Sequence, residues 1–243
     1  MSILVVTGTG TDVGKTVVTA AVAALAADRR STVAVVKPAQ TGVGPDEPGD
    51  LAEVRRLSTV DDLHEYARYP DPLSPEAAAR RSGLPAPTVD DVARRIRSLA
   101  EQRDLVLVEG AGGLLVRFGP DGWTIADLTR LLAAPALLVV AAGLGTLNHT
   151  ALTLEVMAGR GITLSGIVVG SWPRRPDLAA RVNVDDLAAL GGRPIAGALA
   201  EGAAAAPDFL GAARTGLSPA YGGRFDAADF GVQMHASAED RST

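Results

Sequence analysis

The sequence predicts an α/β protein: a doubly wound, mostly parallel sheet flanked by helices on both faces. Three observations predict it. Short apolar runs rich in β-branched residues alternate with longer helical patterns along most of the 243 residues. The runs are almost wholly apolar rather than alternating, as strands covered on both faces must be. The segments carrying Gly, Lys, Thr and acidic residues fall directly behind these runs, at the carboxyl edge where open α/β sheets bind ligands.

Taken in order, strands are expected at residues 3–7, 32–36, 105–108, 136–141 and 164–169, with a weaker sixth at 194–198. Helices are expected at 15–27, 88–101, 124–132, 148–159 and 183–190, and a short one from Asp50 to Val54. Thr88 with Asp91, and Asn183 with Asp186, read as helix N-caps with Asp in the place of the usual Glu or Gln. Residues 42–49, rich in Gly, Pro and acid, read as a flexible acidic loop. A chain of this length fits one sizeable domain over 1–235, with a polar, disordered tail at 236–243.

Composition excludes several classes. Acidic groups outnumber basic ones, 28 to 23, for a net charge of −5, the opposite of a nucleic-acid binder. There is no Cys, hence no disulfide, thiolate metal site or cysteine nucleophile. His64, His149 and His235 show no metal-ligand spacing. The first residues lack a basic leader, and the longest apolar run is broken by Pro135, so neither export nor a membrane span is expected and the chain reads as cytoplasmic. Of the 23 basic residues only two are lysines, Lys15 and Lys37. Both fall in the segments behind predicted strands.

Behind the first strand runs Gly8-Thr9-Gly10-Thr11-Asp12-Val13-Gly14-Lys15-Thr16-Val17, and then a helix. Such a loop turns backbone N–H groups and a helix N-terminus toward phosphate. Lys15 reaches the β- and γ-phosphates and the Thr16 hydroxyl suits Mg²⁺. Five residues separate Gly8 from Gly14, where the common P-loop has four. Lys37 ends the second strand beside this loop and places a second cation where charge develops in phosphoryl transfer. Glu109, behind the third strand, is the expected Mg²⁺ partner; the glycines after it, Gly110 and Gly112 with Ala111 between them, permit close approach of backbone to a ligand, and the three are nucleotide-binding candidates. Asp50 is either a plain helix cap or a further metal ligand, with Asp46, Glu47 and Glu53 as competitors. Gly145, Thr146, Leu147 and Asn148 open a helix. Asn148 is either its N-cap or part of a helix start that holds a substrate carboxylate.

These four segments, with Lys37-Pro38-Ala39-Gln40-Thr41-Gly42 and Glu109-Gly110-Ala111-Gly112-Gly113 among them, together resemble the dethiobiotin synthase family, within a P-loop NTPase-like fold. The likeness extends from the N-terminus to about Gly202. It implies an ATP- or other NTP-dependent, Mg²⁺-dependent ligase that closes the ureido ring of dethiobiotin from 7,8-diaminononanoate and CO₂ in biotin synthesis. One amine becomes a carbamate, the carbamate attacks the γ-phosphate, and the second amine displaces phosphate from the resulting anhydride. Carried over, the likeness gives Lys15 and Lys37 the transferred charge, and Thr16, Asp50 and Glu109 the Mg²⁺. Thr11 and Thr41 would contact the diamine. Residues 145–148 would reach the substrate tail from the neighbouring subunit of a homodimer. Gly170, Ser171, Ala200, Glu201 and Gly202 would face the base. Many members carry Asn where this chain has Gly170, and often Pro where it has Ala200, so the adenine-reading side chain is absent and CTP is an expected alternative to ATP. The rival class is a switch ATPase of the partition or iron-protein type. Those proteins carry an additional Lys early in the loop, where this chain has Gly8, Thr9, Gly10 and Thr11.

Overall fold

The computed structural model of the chain describes residues 3–239. Nine strands are described: β1 (Ile3–Gly8), β2 (Val33–Lys37), β3 (Gln40–Thr41), β4 (Leu63–Glu65), β5 (Arg68–Tyr69), β6 (Leu105–Gly113), β7 (Ala136–Val140), β8 (Leu164–Trp172) and β9 (Gly197–Ala200). The described helices are α1 (Lys15–Asp28), α2 (Asp50–Ser58), α3 (Pro75–Ser82), α4 (Val89–Ala100), α5 (Ile125–Leu131), α6 (Thr146–Gly159), α7 (Leu178–Gly191), α8 (Phe209–Gly216) and α9 (Ala227–Glu239). Seven strands form one sheet in the order β4-β2-β6-β1-β7-β8-β9, every pairing parallel, while β3 and β5 form a separate two-stranded ribbon.

Side-chain alternation splits the core between the two faces. On β1, Leu4 and Val6 meet α1, α2 and α8, while Val5 faces the opposite layer with α3, α4 and α5. On β7, Leu138 and Val140 join Ile167 and Val169 of β8 beneath α7. α1 is rich in Ala and is buried over most of its length, so favourable helix propensity and apolar surface coincide in one segment. α4 is amphipathic: Val92, Ala93 and Ile96 are buried, and the Thr88 side chain caps its start by accepting from the Asp91 N–H. α5 begins with a reciprocal capping box between Thr124 and Asp127.

Several boundaries differ from expectation. β6 runs on through Glu109–Gly113 rather than ending at residue 108, because it goes on pairing with β1 beyond Val6–Glu109, across a register shift, to the pair Gly8–Gly113. β8 likewise extends to Trp172, placing Gly170 and Ser171 inside a strand. Asn183 is not a cap. It lies within α7, which Asp177 caps, and its side-chain amide donates to the carbonyls of Ala142 and Gly143. Asn148 is not a cap either, since α6 starts at Thr146 behind Gly145. The last strand is four residues at Gly197–Ala200, not 194–198. The expected tail from residue 236 overlaps the end of α9, and residues 240–243 lie outside the described ones. Among the described residues, no helix is long and apolar enough to cross a membrane.

Candidate active site

β1 delivers the chain into the phosphate loop, and α1 leaves it. The Thr9 N–H donates to the Val139 carbonyl, fixing the loop to β7. Gly14 (φ +94°) is the α1 N-cap and lies against β8: a Cβ there would sit 2.7 Å from the Gly170 carbonyl oxygen. The contact is mutual. A Cβ on Gly170 would sit 2.0 Å from the Val13 carbonyl oxygen and 2.7 Å from Val139 Cγ1. Asp12, at the exposed crest, takes the left-handed conformation that Asp tolerates. Lys15 Nζ folds back over the loop and donates to the Gly10 carbonyl at 2.7 Å.

Glu109 and Lys37 enter from neighbouring strands, β6 and β2. Both are buried, Glu109 fully and Lys37 to 3% exposure. Glu109 Oε1 accepts from the Thr16 hydroxyl at 2.9 Å and from Lys37 Nζ at 2.8 Å. Lys37 Nζ also donates to the Gly110 carbonyl at 3.2 Å and pairs with the Asp50 carboxylate. The two carboxylates and the threonine named from sequence therefore meet at one point, with Lys37 between them. Gln40 holds Asp50 there: its Oε1 accepts from the Asp50 N–H at 2.8 Å, at the start of α2.

The two lysines are tuned in opposite directions. Burial, then the Lys37 ammonium, push Lys15 below the usual lysine range, against partial support from Glu109, Asp50 and Asp12. For Lys37, burial also favours the neutral amine, but Glu109 and Asp50 outweigh it and hold the group charged. One orphan remains: Glu109 Oε2 is buried without a hydrogen-bond partner. An uncompensated carboxylate oxygen beside a hydroxyl and a second carboxylate is an oxygen-rich set suited to a small divalent cation. Among the described residues no group of three His, Cys, Asp or Glu forms a metal cage, so phosphate and water would have to complete the shell.

A cleft of about 930 Å³ opens above these groups. Thr11, Asp12, Gly14, Lys15, Thr16, Val17, Lys37, Thr41, Asp50, Glu109, Ala111 and Gly112 line it, joined by the 72–75 segment that leads into α3, which the sequence reading missed. Its signal was present: Ser74-Pro75 is a good N-cap with Pro at the first helical position. Val13 and Gly110 lie just behind the wall, and Gly170 behind the loop. Ser171, Ala200, Glu201 and Gly202 are exposed at the same edge of the sheet, where the Glu201 N–H donates to the Trp172 carbonyl and Glu201 Oε2 accepts from the Arg174 N–H. Gly145 and Thr146 do not reach the cleft within one chain. Leu147 and Asn148 instead line a second, shallower cleft of about 620 Å³ with Ala151, Asp186, Ala189 and Leu190. The 42–49 loop is not the free loop expected. Arg68 donates to the Gly44 and Glu47 carbonyls and ties it down.

A family model described as an AAA domain matches residues 2–205. Among solved structures, the MinD cell division protein of Aquifex aeolicus is 15% identical with a TM-score of 0.53, covering 100% of this chain and 99% of that one. A ParA family ATPase of Chlorobium tepidum TLS is 15% identical with a TM-score of 0.52, covering 89% and 90%. At such identities these likenesses establish the fold alone. Curated relatives are much closer. An ATP-dependent dethiobiotin synthetase of Parafrankia sp. (strain EAN1pec) is 65% identical over 232 residues, 95% of this chain and 98% of the relative. One of Streptomyces coelicolor is 55% identical over 233 residues, again 95% and 98%. On that identity and near-complete coverage, the chain belongs to the ATP-dependent dethiobiotin synthetase family.

Proposed function

We propose that this chain is an ATP-dependent ligase that closes the ureido ring of dethiobiotin from 7,8-diaminononanoate and CO₂. The observation that carries the reading is the buried Lys37, which stands between Asp50 and Glu109 on the floor of the phosphate cleft. A carbamate and a triphosphate are both anions, and bringing them together needs concentrated positive charge. In a chain of net charge −5, both lysines are spent there.

One amine adds to CO₂ and loses a proton to give the carbamate. A carbamate oxygen bonds to the γ-phosphorus as the bond to the leaving nucleoside diphosphate breaks. The second amine then attacks the carbonyl carbon and expels phosphate, closing the ring. Lys15 and the N–H groups of the loop face the triphosphate, while Lys37 faces the carbamate. Thr16, Asp50 and Glu109 would hold Mg²⁺, which neutralises phosphate charge when bound. Lys37 can turn to substrate only by giving up one of its three acceptors, Glu109, Asp50 or the Gly110 carbonyl. Thr11 and Thr41, which both line the cleft, would contact the diamine.

Residues 145–148 would serve the acceptor from a second copy of the chain. The exposure of Leu144, Leu152, Leu178, Val182 and Leu190 on and around α6 and α7, beside the second cleft, supports a homodimer through this face. A cytoplasmic enzyme is the matching location.

Phosphate release tests the reading. It should require both 7,8-diaminononanoate and bicarbonate, and dethiobiotin should accumulate. Turnover independent of the diamine would instead identify a switch ATPase.

A further inference from the structure

Arg68 is absent from every motif in this sequence, yet it makes four hydrogen bonds with one guanidinium. Nε and Nη2 form a fork on the Glu65 carboxylate at 2.6 and 2.9 Å. Nη1 reaches the other way, to the carbonyls of Gly44 at 2.9 Å and Glu47 at 2.6 Å. Both ends of this buckle are significant. Glu65 lies on β4 directly opposite Lys37 in the parallel register with β2. Gly44 and Glu47 lie in the loop that delivers Asp50 to the start of α2. Arg68 itself sits on β5, opposite Gln40 of β3, the residue that accepts from the Asp50 N–H. One arginine thus fastens the segment carrying Asp50 to the strand edge carrying Lys37.

We propose that Arg68 is a positioning residue for Asp50, holding its carboxylate at the cation site. The proposal rests on reading Asp50 as a cation ligand. Without the buckle, a loop containing Gly42, Gly44 and Gly49 has many conformations in which Asp50 is withdrawn. Each would have to be frozen out when the cation binds. A fork that grips a carboxylate with one edge and two carbonyls with another requires arginine. Lysine keeps the charge and loses the geometry.

The test is Mn²⁺ binding, followed by electron paramagnetic resonance in the presence of a non-hydrolysable nucleoside triphosphate analogue, alongside the Mg²⁺ dependence of turnover. Arg68→Gln and Arg68→Lys should each weaken the cation by about tenfold, the usual effect of losing an outer-shell partner. Saturating Mg²⁺ should restore turnover to near the parent rate, and the KM for the diamine should not move. Asp50→Ala is the reference and should weaken Mn²⁺ more strongly. Arg103→Gln breaks another pair at the same sheet edge, Arg103 Nε to Asp62 at 2.7 Å, and should leave Mn²⁺ binding unchanged. If Asp50→Ala weakens Mn²⁺ while both Arg68 variants bind it like the parent, the proposal is overturned and the ligand reading survives. If Asp50→Ala has no effect, the ligand reading itself falls and takes the proposal with it. Loss of turnover that no Mg²⁺ concentration repairs would make Arg68 a merely structural residue, and Arg68→Lys gives that answer even where Arg68→Gln fails to fold.

Discussion

The two ends of the proposed nucleotide site, the phosphate cleft and the rim at Gly170 to Gly202, are built on different principles. At the phosphate end, side chains do the selecting: Lys15, Thr16, Lys37, Asp50 and Glu109 converge from four elements, and Glu109 and Lys37 are almost wholly buried. Where the base is proposed to sit, the backbone is nearly all there is. Gly170 lies flat against the loop, and Ser171, Ala200, Glu201 and Gly202 are exposed. A buried ionic cluster is intolerant of change because each group is desolvated and depends on its partners. An exposed backbone rim is tolerant, and it discriminates weakly. Substitutions at the two ends should therefore differ in size and in kind.

The largest effect should come from Lys37. Lys37→Gln should lower turnover by about 10³-fold, the scale of losing a preorganised electrostatic contact to the transition state. Nucleotide binding should be largely kept, because the loop and Lys15 remain, while stability should fall, because Glu109 and Asp50 lose the cation between them and keep only an amide donor. Lys37→Arg should also be poor, since a planar fork does not fit a pocket shaped to a compact ammonium between two carboxylates. A near-normal rate in Lys37→Gln would remove the central asymmetry of the site.

Glu109 should give the largest stability effect. Its carboxylate is the shared acceptor for Thr16 and Lys37. Glu109→Leu leaves a buried ammonium with Asp50 as its one remaining carboxylate and should cost about 3–5 kcal/mol. Glu201→Leu, the matching loss of a carboxylate at the base end, should stay within about 0.5 kcal/mol, as exposed substitutions do. Urea denaturation of the two variants side by side measures the contrast. Equal costs would mean that the phosphate end is no more tightly coupled than the rim.

Gly170→Asn attacks the boundary between the two regions. The new Cβ would overlap the Val13 carbonyl oxygen, so β8 and the loop must separate. Overpacking of this kind costs about 1–3 kcal/mol. The variant should lose thermal stability and triphosphate affinity together, without gaining preference for adenine. Gain of adenine preference at unchanged stability would show that the base end can be read by a side chain after all.

How much of this was legible in the sequence follows the same division. The main strands could be read because parallel strands covered on both faces are written as apolar runs, and Lys15, Thr16, Lys37 and Glu109 because phosphate chemistry confines them to fixed offsets behind those runs. β3 and β5 could not be read, since two-residue strands have no period. The continuation of β6 through Glu109–Gly113 contradicts local propensity and exists because β6 goes on pairing with β1, across a register shift, as far as Gly8. The α7 start was misread because Asp177 follows a Pro-rich stretch, while Asn183, which has a cap's composition, spends its amide on two distant carbonyls. Arg68 could not be found at all. It is one of 21 arginines, and its partners lie 3, 21 and 24 residues away in sequence.

The smallest effects concern protons and bases. Burial and Lys37 hold Lys15 below the ordinary lysine value of 10.5. A triphosphate favours the charged amine and raises that value again. Nucleotide binding should therefore be accompanied by proton uptake on the alkaline side, and the uptake should fade as the pH falls and Lys15 is protonated before the nucleotide arrives. Titration calorimetry in buffers of different ionisation enthalpy reads this directly, and proton release would have the wrong sign. The base itself should matter least. A site that buries a hydrogen-bonding side chain against its ligand rejects analogues by about 10⁴-fold or more, because the wrong ligand leaves that side chain unpaired. Here the rim is exposed, and no side chain stands buried and waiting at Gly170. ATP and CTP should then bind within about tenfold of each other, with the smaller base bound at least as well. Side-by-side titration decides it. Rejection of CTP by much more than tenfold would mean that the rim closes on the base, and the two ends of the site would no longer differ in principle.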